Sequence, residues 1–188
     1  KLPAVDTGNA VAFTVDTSNA NRVVLTSEKA KFIFSKSGLL SAWTYNGQSV
    51  MTAGPEYANF RWVENDEAAG NTASAANGID ASTRAMGYTV AADGKSARFT
   101  VDAAGTLCSY NFVYDVYANG VMELTASYTP QTSDLRRIGM LMRFPAAFDN
   151  VSYYARGPWE NYIDRQTASY LGRYTTTVDG MFEEQSAP

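Results

Sequence analysis

Tyr110-Asn111-Phe112-Val113-Tyr114-Asp115-Val116-Tyr117, then Ala118-Asn119-Gly120, then Val121-Met122-Glu123-Leu124-Thr125-Ala126-Ser127-Tyr128 is the stretch that decides the fold. Asn-Gly between two alternating runs is the strongest short-range signal of a β-hairpin, because glycine accepts the positive φ of a tight reversal. Alternate side chains of a strand share a face. Met122, Leu124, Ala126 and Tyr128 fall on one face of the second arm, and Glu123, Thr125 and Ser127 on the other. One dry face and one wet face describe an antiparallel sheet lying over a core.

The same signals recur outward from this hairpin. Runs at residues 87–91 and 96–101 flank Ala92-Asp93-Gly94-Lys95, whose Asp-Gly pair predicts a second tight turn. Further strands are expected at residues 11–15, 23–26, 31–34, 40–45, 57–62, 137–144 and 151–154. Lys36-Ser37-Gly38 should turn between two of them, and Asn46-Gly47 should end another. Many short strands with regular turn signals predict an all-β, antiparallel sandwich or barrel. Residues 67–82 break the pattern: they are rich in Ala, Gly, Asn and Ser and have no apolar period. A long stretch of that kind inside a compact domain is generally functional or mobile. Residues 1–21 read as a lead-in from an upstream domain and residues 22–188 as the sandwich. The tail after Met181 shows no closing strand, so the domain is expected to be a fragment truncated at its C-terminus.

Composition removes several classes of function. The 12 Tyr, 9 Phe and 3 Trp are spread along the chain, which excludes a disordered tail. A net charge of −4, with no run of more than two Lys or Arg, argues against nucleic acid as a partner. No apolar run approaches the roughly 18–20 residues of a membrane-spanning helix, so no membrane partner is expected. There is no histidine, which eliminates Ser-His-Asp and Cys-His catalysis and histidine-based zinc sites. Cys108 is the one cysteine, so no disulfide forms within the chain. It shares a strand face with Tyr110, Phe112 and Tyr114 and is expected to be a small buried hydrophobe.

Two linked stretches carry the remaining information. The first runs from Asp134-Leu135-Arg136-Arg137-Ile138-Gly139-Met140 through Arg143-Phe144-Pro145 to Val151-Ser152-Tyr153-Tyr154. The second is Ala155-Arg156-Gly157-Pro158-Trp159-Glu160-Asn161-Tyr162-Ile163-Asp164-Arg165, followed by Ala168 and Gly172-Arg173-Tyr174. This tandem closely resembles the C-terminal, small-chain domain of family 2 β-galactosidases, most specifically in its Gly-Pro-x-Glu-x-Tyr-x-Asp-Arg loop. Phe32-Ile33-Phe34-Ser35-Lys36-Ser37-Gly38-Leu39-Leu40 with Trp43 resembles that family's opening strand pair. Phe60-Arg61-Trp62-Val63-Glu64-Asn65-Asp66 matches in part a segment that reads Arg-Ala-Pro-x-Asp-Asn-Asp in the family. The resemblance covers about residues 22–182.

What the resemblance implies is a galactose-mutarotase-like antiparallel supersandwich behind a catalytic barrel. The chain would then be a non-catalytic accessory domain of a retaining, exo-acting β-galactosidase, itself inactive. Its partners would be the barrel and other domains of the same polypeptide, with the galactoside reached through that parent. The resemblance also admits a homo-oligomer of the parent. No cofactor is expected in this chain, and a divalent metal would sit in the parent's catalytic domain. The family's catalytic glutamates belong to the barrel and match nothing here. A carbohydrate-binding module using Trp43, Trp62 or Trp159 as a stacking platform is the rival. A mutarotase ranks last, since its acid and base involve histidine.

Glu160 and Asp164 have the residue types of a glycosidase acid pair. Such pairs need a set separation across a sugar and one carboxyl with a raised pKa. Between Arg156 and Arg165 they are expected instead to cap backbone N–H groups or pair with guanidinium groups; contact with the barrel or its ligand is the other reading. Gly157-Pro158 reads as a turn, and Trp159 and Tyr162 as packing residues. Arg61, Glu64, Asn65 and Asp66 are expected to satisfy loop backbone at a strand end. Their alternative reading is proximity to substrate in the parent. As cation ligands, Glu64 and Asp66 lack further fixed donors.

Overall fold

A computed structural model describes residues 3–59, 83–133, 135, 138–159, 161 and 166–181 of the chain. The described strands are β1 (Thr14–Asp16), β2 (Arg22–Thr26), β3 (Ala30–Ser35), β4 (Leu40–Tyr45), β5 (Gln48–Met51), β6 (Ala53–Ala58) and β7 (Thr83–Val90). They continue with β8 (Ser96–Ala104), β9 (Cys108–Tyr117), β10 (Met122–Pro130), β11 (Gly139–Arg143), β12 (Asn150–Gly157) and β13 (Tyr170–Thr177). One short 3-10 turn, Asp179–Met181, follows β13. The protein is all-β, and every described strand pairing is antiparallel. The chain divides into two compact units, Lys1–Phe144 and Pro145–Pro188.

The first unit is a sandwich. Its first sheet has the order β1-β2-β3-β4-β5 and its second β10-β9-β8-β7, with β11 and β6 forming a smaller pair. Strict alternation explains why the two large sheets face each other. Along β9, Cys108, Tyr110, Phe112, Tyr114 and Val116 are buried while their neighbours are half-exposed, and β8 buries Ala97, Phe99, Val101 and Ala103 in the same rhythm. From the other sheet come Val23, Leu25, Phe32, Phe34 and Leu40. Each large apolar side chain withdrawn from water in this way contributes about 1.5–3 kcal/mol. Met122, Leu124, Ala126 and Tyr128 pack against this core but stay half-buried, because β10 is the edge of its sheet.

The central hairpin forms where its sequence predicts, and its register sets Met122 opposite Val116 and Tyr128 opposite Tyr110. Gly120 adopts φ +92°, and its N–H donates to the Tyr117 carbonyl at 2.8 Å. A Cβ at Gly120 would sit 2.5 Å from the Tyr45 ring, so both backbone and space require glycine. Gly94 supplies the positive φ expected of Asp93-Gly94.

Several boundaries differ from expectation. β6 spans Ala53–Ala58 and so starts four residues before the strand expected at 57–62, of which residues 60–62 lie outside the described residues. It contains Pro55, and among the described residues it pairs with β11 alone, so a residue without N–H is tolerated there. β5 has no counterpart among the expected strands; Asn46-Gly47 ends β4, as expected, and turns the chain into β5. β13 has none either, and it pairs with β12 over the length of both strands. β7 starts at Thr83, four residues earlier than residues 87–91 suggest. Residues 67–82 lie outside the described residues. The lead-in is tied to the sandwich at its end: β1 pairs with β2, and Phe13 enters the core edge-on to Phe32 at 6.2 Å. Cys108 is buried, as expected, and its thiol lies 3.3 Å from the Ser109 carbonyl oxygen.

Candidate functional site

The second unit presents the motif loop. β12 and β13 form an antiparallel hairpin in which Gly157 opposes Tyr170 and Tyr153 opposes Tyr174. Opposed residues share a face, and Tyr153 and Tyr174 stack with ring centroids 5.4 Å apart. A Cβ on Gly157 would lie 3.1 Å from the Tyr153 hydroxyl and from the Tyr174 ring, so the two phenols lie closely over this position and would have to shift slightly for a larger residue. The Tyr174 hydroxyl lies 2.9 Å from the Gly157 carbonyl oxygen and 2.7 Å from that of Tyr170. It therefore clamps the two strand ends from which the loop departs.

A second clamp holds the loop's return. Ser169 is 2% exposed, and its carbonyl accepts from Arg156 Nη1 at 3.2 Å. Its hydroxyl lies 2.9 Å from Asn161 Oδ1 and 3.2 Å from the Gln166 carbonyl. Arg156 thus bonds the backbone on the loop's return, while the carboxylates expected to pair with it, Glu160 and Asp164, lie outside the described residues. The peptide bond into Pro158 is cis. Trp159, expected to pack, is instead 60% exposed.

Between these groups lies a cleft of about 630 Å³ lined by Tyr153, Arg156, Pro158, Trp159, Asn161 and Tyr174, with Thr175, Thr176, Gly180 and Met181 closing it. The lining offers aromatic surface, amide and guanidinium donors and hydroxyl groups. Its described lining holds no carboxylate. No group of three or more His, Cys, Asp or Glu side chains gathers among the described residues to hold a metal.

The remaining expected residues are placed as follows. Glu160, Tyr162, Asp164 and Arg165 lie outside the described residues, as do Arg61, Trp62, Glu64, Asn65 and Asp66. Trp43 belongs to the sandwich: it is half-buried and stacks on Phe32 at 5.8 Å, which makes it a packing residue rather than a sugar platform. Ser169 escapes sequence reasoning, because a serine beside Thr167 and Ala168 carries no signal before its partners are known. Tyr174 belongs to the motif, but its clamp becomes apparent only with the hairpin register.

Comparison with known proteins gives a consistent picture. The family described as beta galactosidase small chain matches residues 26–188. A β-galactosidase of Priestia megaterium is 36% identical over 85 residues, 44% of this chain and 8% of that protein. One from Staphylococcus xylosus is 26% identical over 191 residues, covering 95% of this chain and 17% of the relative. One from Vibrio vulnificus is 28% identical over 193 residues, covering 88% and 18%. The chain thus spans less than a fifth of the length of these relatives. By the match across residues 26–188, the chain belongs to the β-galactosidase small-chain family.

Proposed function

We propose that the chain is a non-catalytic accessory domain of a β-galactosidase that hydrolyses terminal β-galactosides with retention of configuration. It packs on the catalytic barrel and other domains of the same polypeptide and shapes the rim of the active site. The observation that carries this reading is the family match across most of the chain, set against its small share of each relative's length. The chain has no histidine, so it supplies no histidine acid or base. A retaining glycosidase needs two carboxyl groups about 5–5.5 Å apart across the scissile bond, and in this reading both come from the barrel. A divalent metal, where the parent uses one, belongs to that catalytic domain as well.

Arg61, Glu64, Asn65 and Asp66 are the residues proposed to lie near substrate in the parent. The test is made in the parent enzyme with a chromogenic β-galactoside. Asn65→Ala and Asp66→Ala should raise KM while the melting temperature holds. Deleting the domain should abolish turnover, and the first-formed sugar, followed by NMR, should be the β-anomer. Turnover by this chain alone, full activity without it, or an α-anomeric first product would each overturn the corresponding part of the proposal.

A further inference from the structure

We propose that the cleft beside Trp159 is a binding subsite for a neutral pyranoside. The sugar's C–H face would stack on the indole, and its hydroxyls would bond to Arg156 and Asn161. This goes beyond the accessory role, which requires packing against other domains but no sugar contact by this chain itself.

Tryptophan is a large side chain that folded proteins mostly bury, and leaving 60% of it in water forfeits apolar burial. An indole left in that state at the wall of a cleft is suited to a ligand with one apolar face. The polar groups around it are held in place. Ser169 fixes both neighbours: its carbonyl takes Arg156 Nη1 and its hydroxyl lies against Asn161 Oδ1. Ser169 is itself buried, so these anchors do not depend on exposed side chains. Arginine carries several N–H donors in a rigid plane, and the bond to Ser169 uses one of them. The stacked Tyr153–Tyr174 pair also lines the cleft, with Thr175 adding a hydroxyl.

Charge narrows the ligand class. Arg156 is the one charged side chain among the described lining residues, and one of its N–H groups is already spent on a backbone carbonyl. A phosphate or carboxylate site would gather more positive charge or a set of backbone donors. Aromatic walls with neutral amide and hydroxyl groups match a polyol that has one apolar face. The volume of about 630 Å³ also falls among clefts that take small ligands, about 300–1,000 Å³.

The probe is lactose, titrated into the intact 188-residue chain while the indole N–H signals of its 3 tryptophans are followed by NMR. Trp159→Phe assigns the signal. The expected result is a saturable shift of the Trp159 indole with Kd on the order of 1 mM. Isothermal titration calorimetry, which needs no indole at this position, compares the variants: Trp159→Ala should weaken binding at least ~10-fold and Asn161→Ala by ~5-fold, while Trp159→Phe retains part of the affinity. Because the indole is exposed, Trp159→Ala should melt with the parent chain; if it does not, Asn161→Ala and Trp159→Phe still decide. No saturable shift, undiminished binding in Asn161→Ala or Trp159→Ala, or an equal shift with glycerol would overturn the proposal. Loss of activity on deleting the domain tests the accessory role separately, so either reading can fail alone.

Discussion

Phe34 and Phe99 stack across the sandwich with ring centroids 3.8 Å apart and planes 11° from parallel. Phe34 comes from β3 in one sheet and Phe99 from β8 in the other, and both are fully buried. Phe34→Ala or Phe99→Ala should each cost about 3–5 kcal/mol, from lost transfer energy plus the cavity left behind. Because each ring is the other's wall, the double substitution should cost less than the sum of the singles by roughly 0.5–3 kcal/mol. Urea unfolding of the three variants measures this coupling, and strict additivity would mean the rings stabilise independently.

Two glycines of the first unit should respond oppositely to alanine. Gly120→Ala meets both a φ of +92° and the Tyr45 ring, and should destabilise by more than the roughly 1–2 kcal/mol of a left-handed residue alone. Gly87 lies in β7, and a methyl group in its place would meet nothing within 4 Å, so Gly87→Ala should stabilise by about 0.5–1 kcal/mol. Thermal unfolding of the pair tests the contrast.

The Tyr117 hydroxyl donates to Glu123 at 2.8 Å, and this bond, with some burial and the adjacent carboxylate charge, pushes its pKa from 10.0 up to about 12. Between those two values the folded state holds a proton that the unfolded state has already released. The contribution is complete below pH 10.0 and is lost as pH rises through about 12. Glu123→Gln should bring one phenol's titration back toward ordinary tyrosine, read as an earlier rise of phenolate absorbance. Tyr117→Phe should remove that component altogether.

Tyr174→Phe should loosen the hairpin ends while leaving the stack on Tyr153 intact. Losing its bonds to the Gly157 and Tyr170 carbonyls should cost about 0.5–1.5 kcal/mol. Hydrogen exchange should quicken at amides near Gly157 and Tyr170, and less at Asn150 and Thr177 at the far end of the pair. Uniform quickening along both strands would show that the hydroxyl does not act locally.

Where local chemistry and tertiary burial agree, the residues themselves are enough. Asn119-Gly120 and the alternation on either side specify the turn and the two strands it joins, β9 and β10. Boundaries go astray where a residue's meaning depends on a distant partner. Pro55 is acceptable in β6 because, among the described residues, that strand pairs with β11 alone, which no local pattern reveals. Gly172 interrupts the apolar rhythm of β13, yet it fits because the Tyr174 hydroxyl lies 3.1 Å from where its Cβ would be. At the site, the motif reads Gly157-Pro158 as a turn, whereas Gly157 still closes β12 and the chain leaves the strand at Pro158. The motif does not foretell that Trp159 faces solvent, since exposure depends on what packs over the loop.

Cys108 sits in the buried face of β9 and is the chain's one thiol. That makes it a native clock for opening of the sandwich. An alkylating reagent can reach the sulfur only during excursions that separate the sheets, so the rate of labelling reports how often such excursions occur. No engineered probe is required. Phe34→Ala, by weakening the contact between the sheets, should speed labelling, whereas Tyr174→Phe, which acts in the other unit, should leave the clock running at its original rate.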